Sequence, residues 1–156
     1  MTPQDFTIII DTREQKPWTF TDHLTTHAKL DTGDYAIKGL EHELCIERKR
    51  SVAEIANNIT ENRFVDVIDR MDKIPLCFLL LEFNLDTVLN YPVGSGIPQR
   101  LWSRIRISPQ YILKHLLELQ MNHNIKVVFC GSATNAEILA LAIMNRVYKN
   151  SQIPKE

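Results

Sequence analysis

The chain has 156 residues, 44% of them hydrophobic and 24% charged, with a formal net charge of −1 at pH 7. That length supports a single domain (1–156, core about 6–148) with a sizeable hydrophobic core, and the composition is that of a soluble globular protein rather than a disordered, fibrous or membrane-spanning one. No global basic character advertises nucleic acid, which leaves a local basic surface as the only route to phosphate contacts.

From the N-terminus, Met1–Asp5 lacks the basic segment of a secretory signal, so a cytoplasmic protein is expected, nuclear if the source is eukaryotic. Phe6 to Ile10 reads as a short buried strand. It ends in Asp11-Thr12-Arg13-Glu14, and a strand that delivers charge at its C-terminal end is how open α/β sheets present sites; the plain alternative for Asp11 and Glu14 is a solvated turn. Trp18-Thr19-Phe20 is an apolar patch with Trp18 read as a core lid, and the stretch that follows is polar to Thr26. His23, His27 and His42 have no helix to present them as a ligand set and are expected on the surface.

Gly33-Asp34-Tyr35 opens the most informative stretch. A strand, a turn at Gly39 and a second strand ending in Glu47-Arg48-Lys49 form a hairpin. Side chains alternate across a strand, so Glu47 and Lys49 leave it on one side, where Asp34 can meet them. Two carboxylates hold a hard divalent cation through oxygen. Such an ion lowers the pKa of bound water and neutralises charge on a phosphorane, and a lysine there orients the water or stabilises the developing charge.

Ser51 and Glu54 form a capping box ahead of a helix with Val52, Ile55, Ala56 and Ile59 inward. A second helix runs through Phe64, Val67, Ile68 and Met71. Pro75 to Phe83 is a strand covered on both sides, with Glu82 either entering the site or capping the strand end. Asp86 to Asn90 is a short helical turn, and Tyr91 to Pro98 a loop. Arg100, Arg104 and Arg106 interleave with apolar residues, a pattern that suits DNA backbone or an edge contact equally. Pro109 to about Asn122 is an amphipathic helix, Ile125 to Cys130 a buried strand, and Ala133 to about Lys149 a helix apolar over a wide arc, expected to cover the sheet and also, with the helix from Pro109, to face a partner subunit. The three cysteines, Cys45, Cys77 and Cys130, are odd in number and far apart, and read as buried free thiols. The order of elements gives an α/β fold, a mixed sheet with helices on both faces.

Gly33-Asp34-Tyr35 and Glu47-Arg48-Lys49 resemble the GD…ERK signature of XPF-type structure-specific endonucleases, and Asp11-Thr12-Arg13-Glu14 resembles the DxRE element that precedes it. The resemblance runs from about Phe6 to Val147 and implies a restriction-endonuclease-like fold. It implies catalysis by Asp34, Glu47, Lys49 and Asp11, with Mg²⁺ or Mn²⁺ on Asp34, Glu47 and Asp11, and DNA held by Arg13, Arg48, Arg50 and Arg63. The family motif continues as ERKxxxD, whereas this chain has Ala53; an insertion at Arg50 would bring Glu54 into that place, and Glu14 is a second accessory acid. Family members usually add a helix-hairpin-helix module or a helicase, and neither is visible here.

The expectation is therefore a Mg²⁺-dependent endodeoxyribonuclease acting on branched, flap or junction DNA in repair, recombination or replication, and forming a homodimer or taking specificity from a partner protein. The alternatives are a catalytically degenerate DNA-binding subunit, which Ala53 keeps open, and a sequence-specific enzyme on the same D…ExK core.

Overall fold

The computed structural model describes residues 5–154. Strands β1 (Ile8–Asp11), β2 (Thr25–Ala28), β3 (Tyr35–Ile37), β4 (Leu44–Lys49), β5 (Leu76–Leu81) and β6 (Lys126–Phe129) form a six-stranded sheet in the order β2-β1-β3-β4-β5-β6. The β1–β3 and β3–β4 pairs are antiparallel and the other three are parallel. Five helices accompany it: α1 (Val52–Ile59), α2 (Asn62–Met71), α3 (Leu85–Leu89), α4 (Pro109–Asn122) and α5 (Ala133–Ser151).

Alternation along β4 and β5 splits the core in two. Cys45, Leu79 and Leu81 pack with Val52, Ile55, Phe64 and Ile68 of α1 and α2, and with Ile112, Leu116 and Leu119 of α4. On the opposite face, Ile8, Ile10, Tyr35, Ile37, Ile46 and Leu80 pack with Ala136, Ala140 and Met144 of α5. Helices cover both faces, so the central strands are apolar on both sides.

Ser51, Ser108 and Ser132 each accept a hydrogen bond from a backbone N–H three residues on, and so start α1, α4 and α5.

Two expectations change. The polar stretch before Thr26 leads into an edge strand, β2, parallel to β1, with Thr25, His27 and Ala28 exposed. It buries no face, so it carries no apolar alternation to read. The wide apolar arc of α5 is largely absorbed by the sheet: Leu139, Leu141, Ile143 and Val147 pack partly against the core, and Ile138 stays exposed. Exposed apolar area concentrates instead on α4, at Tyr111, Leu117 and Met121.

Candidate active site

Asp34 is fixed by its own backbone before its side chain acts. Its N–H donates to Ile46 O at 2.8 Å and its carbonyl accepts from Asp11 N at 2.9 Å, so it bridges the end of β1 and the middle of β4. The Arg48 N–H donates to Asp34 Oδ2 at 2.8 Å. Gly33 makes this close approach possible: its φ is +83°, and a Cβ there would stand 2.6 Å from Cys45 Sγ.

Glu47 and Lys49 do leave β4 on one side, the α1–α2 side. Lys49 Nζ lies 3.5 Å from Glu47 Oε1, and the two side chains are only 12% and 13% exposed. Lys49 Nζ also sits 5.6 Å from the centroid of the Phe64 ring, which holds the ammonium at the edge of an apolar wall. Burial and the neighbouring Glu47 charge push the Asp34 carboxyl well above the usual carboxylate range. Burial raises Glu47 as well, against the pull of Lys49. Two carboxyl groups raised in this way lack positive charge beyond what Lys49 supplies.

That deficit is one a divalent cation would fill. Among the described residues no group of three or more His, Cys, Asp or Glu side chains is arranged to hold a metal ion. A hard cation that keeps water and substrate phosphate in its shell needs only one or two protein carboxylates, and Asp34 with Glu47 supplies that donor set.

Asp11 is buried and already engaged. Its Oδ1 accepts from Leu30 N at 2.9 Å, and Arg13 Nε donates to Oδ2 at 2.8 Å. Burial pushes this carboxyl up, but the Arg13 and Leu30 contacts outweigh it and hold it below the ordinary range. Arg13 is 65% exposed and carries its charge within reach of Asp34 and Glu47 as well.

Arg48 is placed differently from the phosphate-holding role expected of it. It alternates with Glu47 and Lys49, points to the α5 face and is 7% exposed. Its Nε donates to Glu82 Oε2 at 2.7 Å, and its Nη1 to Lys16 O at 2.6 Å and Glu14 Oε2 at 3.2 Å, so the guanidinium is engaged on the α5 face of the sheet. It lies 4.8 Å from the centroid of Trp18, which stacks on Tyr35 at 4.5 Å. Glu82 is held here too, by Arg48 and by Trp18 Nε1 at 2.8 Å. The sequence reading gave Tyr35 no role, yet its hydroxyl donates to Glu14 at 2.8 Å and accepts from Trp18 N at 2.9 Å. It ties the turn after β1 to the hairpin.

Glu54 is not drawn into the acid pair. It stands three residues after the Ser51 cap, and its carboxylate takes the Arg50 N–H at 3.3 Å and Arg50 Nε at 3.4 Å. Arg63, 83% exposed, pairs with Glu61 at 2.8 Å at the start of α2.

The profile of the ERCC4 domain matches residues 10–141, which takes in every one of these side chains. The chain belongs to the ERCC4 domain family. Comparison with curated proteins gives no match. Among solved structures, this ERCC4 domain is similar to XPF from Aeropyrum pernix, with a TM-score of 0.64 at 16% identity over 96% of this chain and 67% of that one. It is similar also to XPF from Aeropyrum pernix in complex with DNA, with a TM-score of 0.62 at 15% identity over 96% of this chain and 68% of that one. These likenesses show the restriction-endonuclease-like fold expected from the sequence.

Proposed function

We propose that this ERCC4 domain is a divalent-metal-dependent DNA endonuclease acting at branched, flap or junction DNA, with Mg²⁺ or Mn²⁺ held by Asp34 and Glu47. The observation that carries the reading is the meeting of two proton-hungry carboxyl groups and one lysine at the end of β4. A bound divalent ion supplies an activated water and neutralises charge on the phosphorane. Asp34 and Glu47 orient that centre, held in place by the Arg48 N–H and by Lys49. Lys49 Nζ, aimed past Glu47, positions the attacking water or stabilises the developing charge.

Asp11 supports the site by fixing Arg13 beside it, and Arg13, Arg50 and Arg63 are the exposed cations that meet DNA phosphates. That an XPF relative has been solved with DNA supports DNA as the substrate. The preference for branches rests on the family alone, and substrate choice comes from the domain itself, a second copy of the chain or a partner protein.

The test is incubation of purified protein with end-labelled flap, fork, Holliday-junction and linear DNA, with and without Mg²⁺. Mg²⁺-dependent nicking at or near the branch is expected. A fixed cut sequence on linear duplex would point to a sequence-specific enzyme, and binding without cleavage under every metal condition would point to a degenerate subunit.

A further inference from the structure

A cavity of about 190 Å³ lies one residue beyond Lys49, between the C-terminal ends of β4 and β5 and the loop after α3. Arg50, Ser51 and Val52 line it from the start of α1, Phe83 from the end of β5, and Tyr91 and Ser95 from the loop. Val52, Phe83 and Tyr91 belong to the core on the α1–α2 face, the same face that carries Glu47 and Lys49. The cavity therefore opens at the end of β4, beginning at the residue that follows Lys49.

Tyr91 makes the cavity more than a packing fault. It is 8% exposed, its hydroxyl bonds to no protein group among the described residues, and burial pushes its phenol up. A hydroxyl that no protein group engages can exchange its water for the donor or acceptor of a ligand in the cavity.

The lining chooses the partner. Phe83, Val52 and Val93 form apolar walls; the hydroxyls of Tyr91, Ser51, Ser95 and Thr87 can each donate and accept. Glu82 also borders the space, but its carboxylate is taken up by Arg48 and Trp18. A neutral, half-apolar space suits an uncharged aromatic ring with polar edges, not an anion. The volume falls below the ~300 Å³ at which sites for drug-sized ligands begin, so a single ring system is the proper scale. Arg50, half-exposed at the mouth, is placed for the phosphate attached to that ring system.

We infer that this cavity receives one unpaired nucleobase of the strand presented to Asp34 and Glu47, with the Tyr91 hydroxyl bonding the edge of the base. This rests on the nuclease reading and deepens it: a strand with an unpaired base next to the cut is what a branch offers and a continuous duplex does not.

The test measures binding apart from cleavage. Fork DNAs, each carrying one abasic residue stepped through the positions around the junction, are titrated in Ca²⁺ by fluorescence anisotropy. Wild type is expected to lose about tenfold in affinity at one position, in keeping with ~1–3 kcal/mol for a base stacked on aromatic side chains. Ser95→Leu, which fills the rim, should bind that abasic fork and the intact fork alike, and Tyr91→Phe, which keeps the ring and loses only the hydroxyl, should narrow the difference between them. Equal affinity of wild type for all the forks would overturn the pocket, and so would full discrimination retained by both variants. Cleavage of the same forks in Mg²⁺ is scored separately. Cutting without positional preference in binding removes the pocket alone; preference without cutting removes the nuclease reading alone. Failure to bind any fork removes both.

Discussion

The Arg48 backbone N–H donates to Asp34 Oδ2 at 2.8 Å, while the Arg48 guanidinium holds Glu82 on the opposite face of the sheet. One residue thus serves both faces, positioning the Asp34 carboxylate with its main chain and locking the core with its side chain. Strand alternation sends the Arg48 side chain to the face opposite Glu47 and Lys49, where Glu82 and Glu14 take it up.

Asp34→Asn is expected to abolish Mg²⁺-dependent cleavage and keep the fold. Because the folded carboxyl is raised by burial and by Glu47, its stabilising contribution is present at low pH and is lost as pH rises through the raised value. In metal-free buffer the variant should therefore melt above wild type at pH 7, with a smaller difference near pH 4. Thermal melts at both values check this; cleavage within about tenfold of wild type, when one catalytic group is worth roughly 10²–10⁴, would remove Asp34 from the site.

Arg48→Ala should be chiefly a stability variant. Arg48 and Glu82 are 7% and 5% exposed, and removing one partner of such a buried pair costs about 3–5 kcal/mol because the other charge is stranded. Urea unfolding should show the loss, and Arg48→Met with Glu82→Leu should recover much of it. Loss of cleavage with unchanged stability would return Arg48 to direct contact with DNA.

Glu54→Gln should keep cleavage close to wild type, since glutamine also serves at the third position after a serine cap. Its bonds run to Arg50 rather than to Asp34 or Glu47. Single-turnover rates decide: a loss of about a hundredfold with an unchanged melting temperature would place Glu54 among the proton-transfer or metal groups.

Gly33→Ala should damage stability and activity together. A Cβ at this φ of +83° would meet Cys45 Sγ at 2.6 Å and Ile46 O at 3.1 Å, and strain of this kind costs on the order of 1–3 kcal/mol. The next residue is Asp34, so the displacement reaches the carboxylate directly. Pairing the change with Cys45→Ala should restore part of the melting temperature, as measured by circular dichroism.

The sequence shows this site unevenly, and the reason is range. Asp34, Glu47 and Lys49 are readable because one hairpin carries them, and the pleat dictates which side they share. The partners of Arg48 are 32 and 34 residues away, at Lys16 and Glu82, and no local pattern announces such contacts. Tyr35 was legible only as a letter of the signature; its bonds to Glu14 and Trp18 depend on how the turn after β1 folds back. Strand β2 escaped because an exposed edge strand has no face to bury. Tyr91 escaped because an unused hydroxyl is visible only once its surroundings are known.

Assembly is the last expectation, and it bears on how a small domain selects DNA. The wide apolar arc of α5 is used within the fold, since Ala136, Ala140 and Met144 pack on the sheet. On α4 the inward stripe of Ile112, Leu116 and Leu119 is buried, whereas Leu117 is 48% and Met121 78% exposed. Leu113, Leu117 and Met121 also border a shallow depression along the outer face of that helix. We propose this face, rather than α5, as the seat of a two-fold dimer; an isologous contact needs one self-complementary patch, and pairing would set two acid sites in one assembly. Light scattering at micromolar concentration should give the mass of two chains, and Leu117→Lys with Met121→Lys should return it to one while leaving the melting temperature nearly unchanged, as surface substitutions usually shift stability by only about ±0.5 kcal/mol. A wild-type mass of one chain, unaltered by forked DNA, would rule out the dimer and leave the domain itself or a partner protein as the source of specificity.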